Sequence, residues 1–241
     1  MLSDLRRAVR LLSVLPVGIG ADEAARPPGY AFAYFPLIGV LFGVIGALLM
    51  SLPRFSADVR AFLVLLAWCI LSGGLHLDGF ADSCDGLLAT TTPERRLEIM
   101  KDPRTGAWGV IGVALLLLGK WLLLRALPPL WLILPPVFGR LAMVWLAARY
   151  PSARASGLGA AFRAGLGAAQ VIVATLISAL CLALIALAEP RVVISALSVP
   201  LIVFGFGNFA AARLGGGLTG DTYGAGCELT EWVCLLILSA L

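Results

Sequence analysis

The sequence is poor in charge, in histidine and in patterned cysteine, and each scarcity excludes a class of protein. Only 13% of the 241 residues are charged while 60% are apolar, against about a quarter charged and about half apolar in a soluble domain. The five cysteines form no CxxC or Cys/His spacing, so neither a zinc site nor a disulfide framework is predicted. The basic residues form no stripe with interleaved aromatic side chains, so nucleic acid is not an expected partner.

Long apolar runs dominate what is present, and lipid is the environment that suits them. A membrane-spanning helix needs roughly 20 apolar residues. The candidate spans are 31–52, 59–75, 107–127, 129–148, 168–188, 192–211 and 229–241. The last is very short for a full span, so it either sits shallow or belongs to a helix that starts earlier. The sequence predicts an all-α polytopic membrane helical bundle with about six or seven transmembrane helices, in a single domain over 1–241 because no long polar stretch divides it.

The N-terminal segment has the pattern of an amphipathic helix and not of a signal peptide. Arg6, Arg7 and Arg10 interrupt the apolar core that a signal peptide requires. The apolar residues of the same segment share one helical face. This pattern predicts a short helix lying at the cytoplasmic interface of the lipid bilayer.

The placement of basic residues predicts the orientation of the chain. Lysines and arginines are concentrated in alternate loops, beginning with the N-terminal segment, so the positive-inside rule places the N-terminus in the cytoplasm. The polar, glycine-rich motifs at 73–86, 101–109 and 215–231 then all lie on the cytoplasmic side. We expect them to converge on one site.

The first motif carries three carboxylates, Asp78, Asp82 and Asp85, at i, i+4 and i+7. On a helix they lie within about 60° of one another. A divalent cation would relieve their repulsion, and carboxylates without histidine or thiol partners suit Mg²⁺, with Mn²⁺ as a substitute. The alternative is a solvated acidic helix face. His76, the only histidine, either contacts a phosphate or donates a proton, or is an interfacial residue with a satisfied hydrogen bond.

The second motif, 100–109, immediately precedes a long apolar run. Backbone N–H groups at a helix N-terminus favour anions, so this segment is a candidate phosphate cradle. Lys101 and Arg104 add positive charge, and Thr105 and Gly106 are further candidate substrate contacts. The alternative is an ordinary positive-inside loop.

The third motif, 215–231, is dense in glycine, which allows close backbone approach to a ligand. Thr219 and Gly220 are candidate substrate contacts in it. Glu228 and Glu231 share a helix face and, with Asp221, offer a second acidic set to bind a cation or activate a nucleophile. The alternative is a flexible loop followed by a capped helix.

Arg140 lies within a predicted span, and Arg154 follows it in a loop. A buried arginine needs an anionic partner, which a diphosphate or one of the acidic motifs would supply. Arg154 alone also fits a topology signal. Lys120 and Arg125 are interpreted as snorkelling or as pairing structurally. Together these features indicate a membrane-embedded, metal-dependent transferase acting on a phosphate ester.

Three stretches resemble the cobalamin synthase (adenosylcobinamide-GDP ribazoletransferase) family: GGLHLDGFADSCDGL at 73–87, MKDPRTGAWG at 100–109 and GLTGDTYGAGCELTE at 217–231. The resemblance implies transfer from adenosylcobinamide-GDP to α-ribazole, or to its 5′-phosphate, with release of GMP. This would be the last step of cobalamin nucleotide-loop assembly. It also implies a Mg²⁺ requirement and a multi-pass location in the bacterial or archaeal cell membrane.

Carried onto this chain, the resemblance makes the acidic residues the centre of the site. The candidate metal ligands are Asp78, Asp82, Asp85, Glu228 and Glu231. The candidate catalytic residues are Asp82, Asp85, Asp221, Glu228 and His76. Lys101 and Arg104 look like donor-phosphate contacts. The chain departs from the family pattern at Cys84, where a small residue is common, and in its short C-terminal segment.

Two other functions remain open. The aspartate spacing is loosely similar to that of CDP-alcohol phosphotransferases, but the arginine of their DGxxAR pattern is absent after Ala81. A transporter would place its polar groups near the membrane midplane, whereas here they group at one predicted face. Association with other cobalamin-pathway enzymes and formation of a homo-oligomer are open as well.

Overall fold

Helices account for the regular structure of this chain, which is represented by a computed structural model that describes residues 2–20, 23–154 and 163–241. Within those ranges the β-type pairing consists of one isolated parallel bridge between Ser152 and Leu218. The predicted all-α class is therefore confirmed. The helices are α1 (Leu2–Leu12), α2 (Phe35–Met50), α3 (Ala57–Ser72), α4 (Leu75–Leu88), α5 (Pro93–Ile99), α6 (Ala107–Leu124), α7 (Leu134–Arg149), α8 (Ala168–Ala186), α9 (Pro190–Arg213) and α10 (Gly220–Ser239).

Some of these helices contain other helical forms. Short 3₁₀ segments, Pro28–Tyr34 and Pro129–Ile133, lead into α2 and α7. The long α9 starts as a 3₁₀ helix and includes a π-helical stretch, Leu201–Phe206, before it returns to α geometry. Proline near the start of each 3₁₀ segment is consistent with its fixed φ and missing N–H group.

Among the described residues, five helical segments are long and apolar enough to cross a membrane: Pro28–Met50, Ala107–Leu124, Pro129–Arg149, Ala168–Ala186 and Pro190–Arg213. The pair α3 and α4 makes a sixth if it is taken as one span, although the chain bends by 88° between the two helices. The chain is thus a multi-pass membrane bundle, as predicted.

Two predicted spans take a different form. The segment 59–75 falls mainly in α3, the first half of the bent pair. The bend occurs at Gly73 and Gly74, whose φ angles of 61° and 71° lie in the left-handed region that glycine tolerates. The segment 229–241 is the second half of α10, which starts at Gly220 and is not among the helices apolar enough to span.

The bundle has inner and outer helices. Within an apolar stretch of 18 residues in each helix, 78% of the residues are buried in α7 with its 3₁₀ lead, against 22% in α6 and 17% in α8. Leucines such as Leu118 on α6 and Leu180 on α8 are 55% and 60% exposed. These outer faces suit lipid, whereas α7 packs between α2 and α10 and α10 also packs against α4.

Ion pairs hold the N-terminal helix against the segment 23–26 that follows it. Arg7 and Arg10 both pair with Glu23, and the Arg26 guanidinium lies 2.6 Å from the Asp4 carboxylate. The hydrogen bond from Arg10 lowers the pKa of Glu23 to about 2, so this carboxylate stays ionised at neutral pH. A helix is present where the interfacial helix was predicted, and two of its arginines, Arg7 and Arg10, contact a protein carboxylate.

Contact between α2 and α7 depends on a glycine. A Cβ added to Gly39 would lie 2.5 Å from the carbonyl oxygen of Pro136. Gly39→Ala should therefore lower the free energy of unfolding by about 1–3 kcal/mol through overpacking. Thermal unfolding in detergent measures the change. Gly205→Ala is the matched control, because no atom lies within 4 Å of its added Cβ; equal stability of the two variants would contradict the close approach.

Candidate active site

The three aspartates of the first motif lie on one helix, as predicted. Asp78, Asp82 and Asp85 all belong to α4; Asp78 is exposed and the other two are half-buried. The negative charges of Asp78, Asp221 and Asp85 all act on Asp82. We call these four carboxylates the acidic row; three come from α4 and the fourth, Asp221, comes from α10.

Two glycines bring that fourth carboxylate to α4. A Cβ added to Gly79 would lie 2.8 Å from the backbone oxygen of Asp221, and one added to Gly224 would lie 3.3 Å from the Cα of His76. The backbones of α4 and α10 thus nearly touch, and no larger residue fits at Gly79 without movement. This close approach sets Asp221, in the first turn of α10, beside the aspartates of α4.

Asp221 is held in place by its neighbours. The Thr219 hydroxyl donates to its Oδ2 at 3.2 Å, and Arg154 Nη1 lies 3.3 Å from the same atom. Thr219 is buried and caps α10 by accepting the N–H of Thr222. Arg154 therefore contacts the acidic row. Thr219, which was predicted to contact substrate, makes contacts within the protein here.

Asp85 faces the second motif. Its carboxylate accepts the N–H groups of Gly106 at 2.7 Å and of Gly109 at 2.8 Å, at the N-terminus of α6. A Cβ on Gly106 would lie 2.5 Å from Oδ1 of Asp85, and one on Gly109 would lie 2.6 Å from Oδ2. The glycines therefore make room for a protein carboxylate, and two N–H groups of the predicted phosphate cradle are occupied by it.

The basic residues of the second motif are at the surface. Lys101, Arg104 and Thr105 are exposed, and Arg104 lies 2.7 Å from Asp102. The Arg104 guanidinium holds the pKa of Asp102 well below its usual range. An open cavity of about 300 Å³ lies beside them and is lined by Asp85, Arg95, Glu98, Ile99, Asp102, Arg104, Thr105 and Gly106.

Glu228 and Glu231 lie in the interior, away from this row. Lys120 Nζ is 2.5 Å from a carboxylate oxygen of each, and Arg140 pairs with Glu231. All four side chains are buried. The predicted pairing of Lys120 is confirmed.

This network corrects the prediction of a metal ion at Glu228 and Glu231, because Lys120 and Arg140 are the partners of these carboxylates. Arg140 meets one of the acidic motifs, which was one of the two anionic partners predicted for it. Two positive and two negative charges balance.

A second, larger cavity borders the acidic row at Asp78 and Asp221. It measures about 410 Å³ and is bounded by α1, the 3₁₀ segment Pro28–Tyr34 with the start of α2, α4, α7 and α10. Its lining residues are Arg10, Leu11, Leu12, Phe32, Phe35, Leu75, His76, Asp78, Gly79, Met143, Gly220, Asp221, Tyr223 and Gly224. Gly220 was a predicted substrate contact, but Tyr223 and the phenylalanines were missed because apolar and aromatic residues do not stand out in an apolar sequence.

The donor chemistry of the acidic row suits a hard divalent cation. Asp78, Asp82 and Asp221 offer carboxylate oxygens, which such cations prefer. At Asp82 the positive charge of Arg154 opposes the negative charges of Asp78, Asp221 and Asp85. In the described part of the chain, no three His, Cys, Asp or Glu side chains are already gathered as metal ligands. The fit to Mg²⁺ therefore rests on ligand type and on unbalanced negative charge.

A family model described as cobalamin-5-phosphate synthase matches residues 4–239. The chain belongs to this family. Three curated relatives, all named adenosylcobinamide-GDP ribazoletransferase, align with it along nearly their full length. The protein of Prosthecochloris aestuarii is 37% identical over 99% of each chain. That of Pseudomonas putida is 39% identical over 96% of each, and that of Desulforamulus reducens is 40% identical over 99% of this chain and 97% of its own. No solved structure matches the chain.

In this member of the cobalamin-5-phosphate synthase family, removal of one buried cation should destabilise the bundle. Lys120→Met leaves Glu228 and Glu231 with Arg140 as their remaining basic partner, and breaking a buried ion pair lowers stability by about 3–5 kcal/mol. Thermal unfolding in detergent checks this, with the exposed Lys101→Met as control. Adding Glu228→Gln to Lys120→Met should recover part of the loss; a fully stable Lys120→Met would contradict the network.

The capping role of Asp85 is separately testable. Asp85→Ala should lower protection from amide hydrogen exchange at the start of α6, consistent with loss of a cap that contributes about 0.5–2 kcal/mol. The loss should be equal with and without Mg²⁺, because the cap is made by Gly106 and Gly109. An effect seen only with Mg²⁺ would identify Asp85 as a metal ligand instead. Asp102→Ala serves as control, since the Asp102 carboxylate bonds to the backbone and side chain of Arg104 in its own loop.

Proposed function

We propose that the chain transfers the adenosylcobinamide-phosphate group from adenosylcobinamide-GDP to α-ribazole or its 5′-phosphate, with release of GMP. Family membership and the shared name of the relatives support this reaction. The structural observation that carries it is the position of α4. Asp78 lines the larger cavity, here called the apolar cavity, and Asp85 lines the open cavity. Asp82 lies between these two aspartates on the same helix.

The two cavities suit the two substrates. The open cavity offers Arg95 and Arg104 to the phosphates of the nucleotide donor, with Lys101 nearby in sequence. The arginines pair with Glu98 and Asp102 in the free protein, so donor phosphates would compete for them. The apolar cavity would then receive the acceptor, and the reacting atoms would meet at Asp82.

The reaction joins the acceptor hydroxyl to phosphorus. The hydroxyl oxygen attacks the phosphorus atom that bears the cobinamide group, and the bond from that phosphorus to the GMP oxygen breaks. Asp221 is positioned to accept the hydroxyl proton, because Thr219 and Arg154 fix its carboxylate. Asp78 and Asp82 would hold Mg²⁺, which when bound neutralises charge on the diphosphate.

The membrane setting extends the proposal. The chain would lie in the bacterial inner membrane with the N-terminus and the acidic row on the cytoplasmic side. The distribution of basic residues along the sequence supports this orientation.

Purified protein in detergent, supplied with adenosylcobinamide-GDP, α-ribazole and Mg²⁺, should form adenosylcobalamin and GMP. Asp82→Asn should lower kcat by at least about 100-fold, the usual size of an acid–base or metal-ligand effect, and a chelator should abolish product. Asp58→Asn is the matched control, since Asp58 is exposed, pairs with Arg125 and lines neither cavity.

The outcomes separate the reaction from the site. No product from well-folded wild-type protein would contradict the proposed reaction. Full activity in Asp82→Asn would keep the reaction and remove Asp82 from the site. Activity insensitive to the chelator would remove the metal.

A further inference from the structure

The apolar cavity is the size of a small-molecule site. Its volume of about 410 Å³ falls in the range of about 300–1,000 Å³ that is usual for ligand pockets. The rings of Phe32 and Phe35 are stacked with centroids 4.4 Å apart, and Leu12 and Met143 add apolar surface. The walls therefore favour a flat, apolar group.

Two buried polar side chains in this cavity lack partners. His76 is 1% exposed and Tyr223 is 4% exposed. Within the described residues, neither ring nitrogen of His76 nor the hydroxyl of Tyr223 has a hydrogen-bond partner. A buried polar group without a partner destabilises the fold, so each requires an explanation. A ligand in the cavity would supply the missing partners.

Two carboxylates of the proposed active site line the same cavity. Asp78 and Asp221 are the acidic residues of its lining, and His76 and Tyr223 come from the same two helices, α4 and α10. A ligand bound to the two orphaned groups would therefore extend toward the carboxylates. Arg10 also lines the cavity, but its guanidinium is paired with Glu23.

We propose that this cavity binds the dimethylbenzimidazole ring of the ribazole acceptor, with the Tyr223 hydroxyl donating a hydrogen bond to its unsubstituted nitrogen and His76 bonding to a ribose hydroxyl group. The ring is flat and apolar and carries one unsubstituted nitrogen that accepts a hydrogen bond. Stacking on the phenylalanines and a bond from the Tyr223 hydroxyl would orient it. The ribose would then lie with its ring hydroxyl groups, one of which is the nucleophile, near Asp78 and Asp221. This inference rests on the proposed function and adds the subsite.

The other candidate occupants fit less well. The corrin ring of the donor is too large for the cavity, and guanine presents more polar edge groups than His76 and Tyr223 satisfy. A lipid acyl chain would match the apolar walls but would leave both polar side chains without partners. The acceptor matches the walls with its base, and it matches the orphaned side chains with its ring nitrogen and its ribose hydroxyl groups.

Binding of α-ribazole to the full chain in detergent, without donor and without Mg²⁺, tests the subsite by calorimetry. Tyr223→Phe removes one hydroxyl and keeps the ring, so affinity should fall about 3- to 10-fold, the size expected for one hydrogen bond. The KM for ribazole should rise by the same factor while the KM for adenosylcobinamide-GDP stays constant. Tyr34→Phe is the control, because Tyr34 is half-buried and does not line the cavity.

A second variant keeps the test decisive if Tyr223→Phe folds poorly. Met143→Phe places a bulkier ring in the cavity, and it should weaken binding of ribazole and of free dimethylbenzimidazole by at least 10-fold. Wild-type protein that binds neither compound, or equal affinity in wild type and both variants, would overturn the subsite. Saturable ribazole binding that depends on these residues, without product formation from the donor, would uphold the subsite and overturn the proposed reaction.

Discussion

The rest of the structure depends on the buried charge network that fixes α10 inside the bundle. Glu228 and Glu231 put two carboxylates on the inner face of α10, and a helix with such charges is unfavourable in an apolar interior. Lys120 from α6 and Arg140 from α7 neutralise them and are neutralised in turn. Each charge is tolerable only because the others are present, so the network specifies how α6, α7 and α10 meet.

With α10 fixed, its N-terminal turn becomes part of the site. Gly79 and Gly224 let the backbones of α4 and α10 approach closely, and this places Asp221 beside the aspartates of α4. The same contact brings Tyr223 and His76 to the wall of the apolar cavity. The charge network is thus structural, yet it decides where the carboxylates of the candidate site lie.

The acidic helix α4 divides its carboxylates between roles. Asp85 caps α6 and so connects the first motif to the second, while Asp78 and Asp82 remain available near Asp221. Spacing along the helix predicted that the three share one face, and α4 confirms that spacing. Their different partners could not be predicted, because each depends on which neighbouring helix ends nearby.

Hydropathy and motif spacing were enough to predict the all-α membrane bundle, the location of most spans and the three motifs that meet. These follow from local properties, since hydropathy and helical spacing depend on residues close in the chain. The folded chain was needed to find that Glu228 and Glu231 face Lys120 and Arg140, that Asp85 meets Gly106, and that Tyr223 lines a cavity. Those pairings join residues far apart in the sequence, and burial makes each depend on finding a partner of opposite charge or shape.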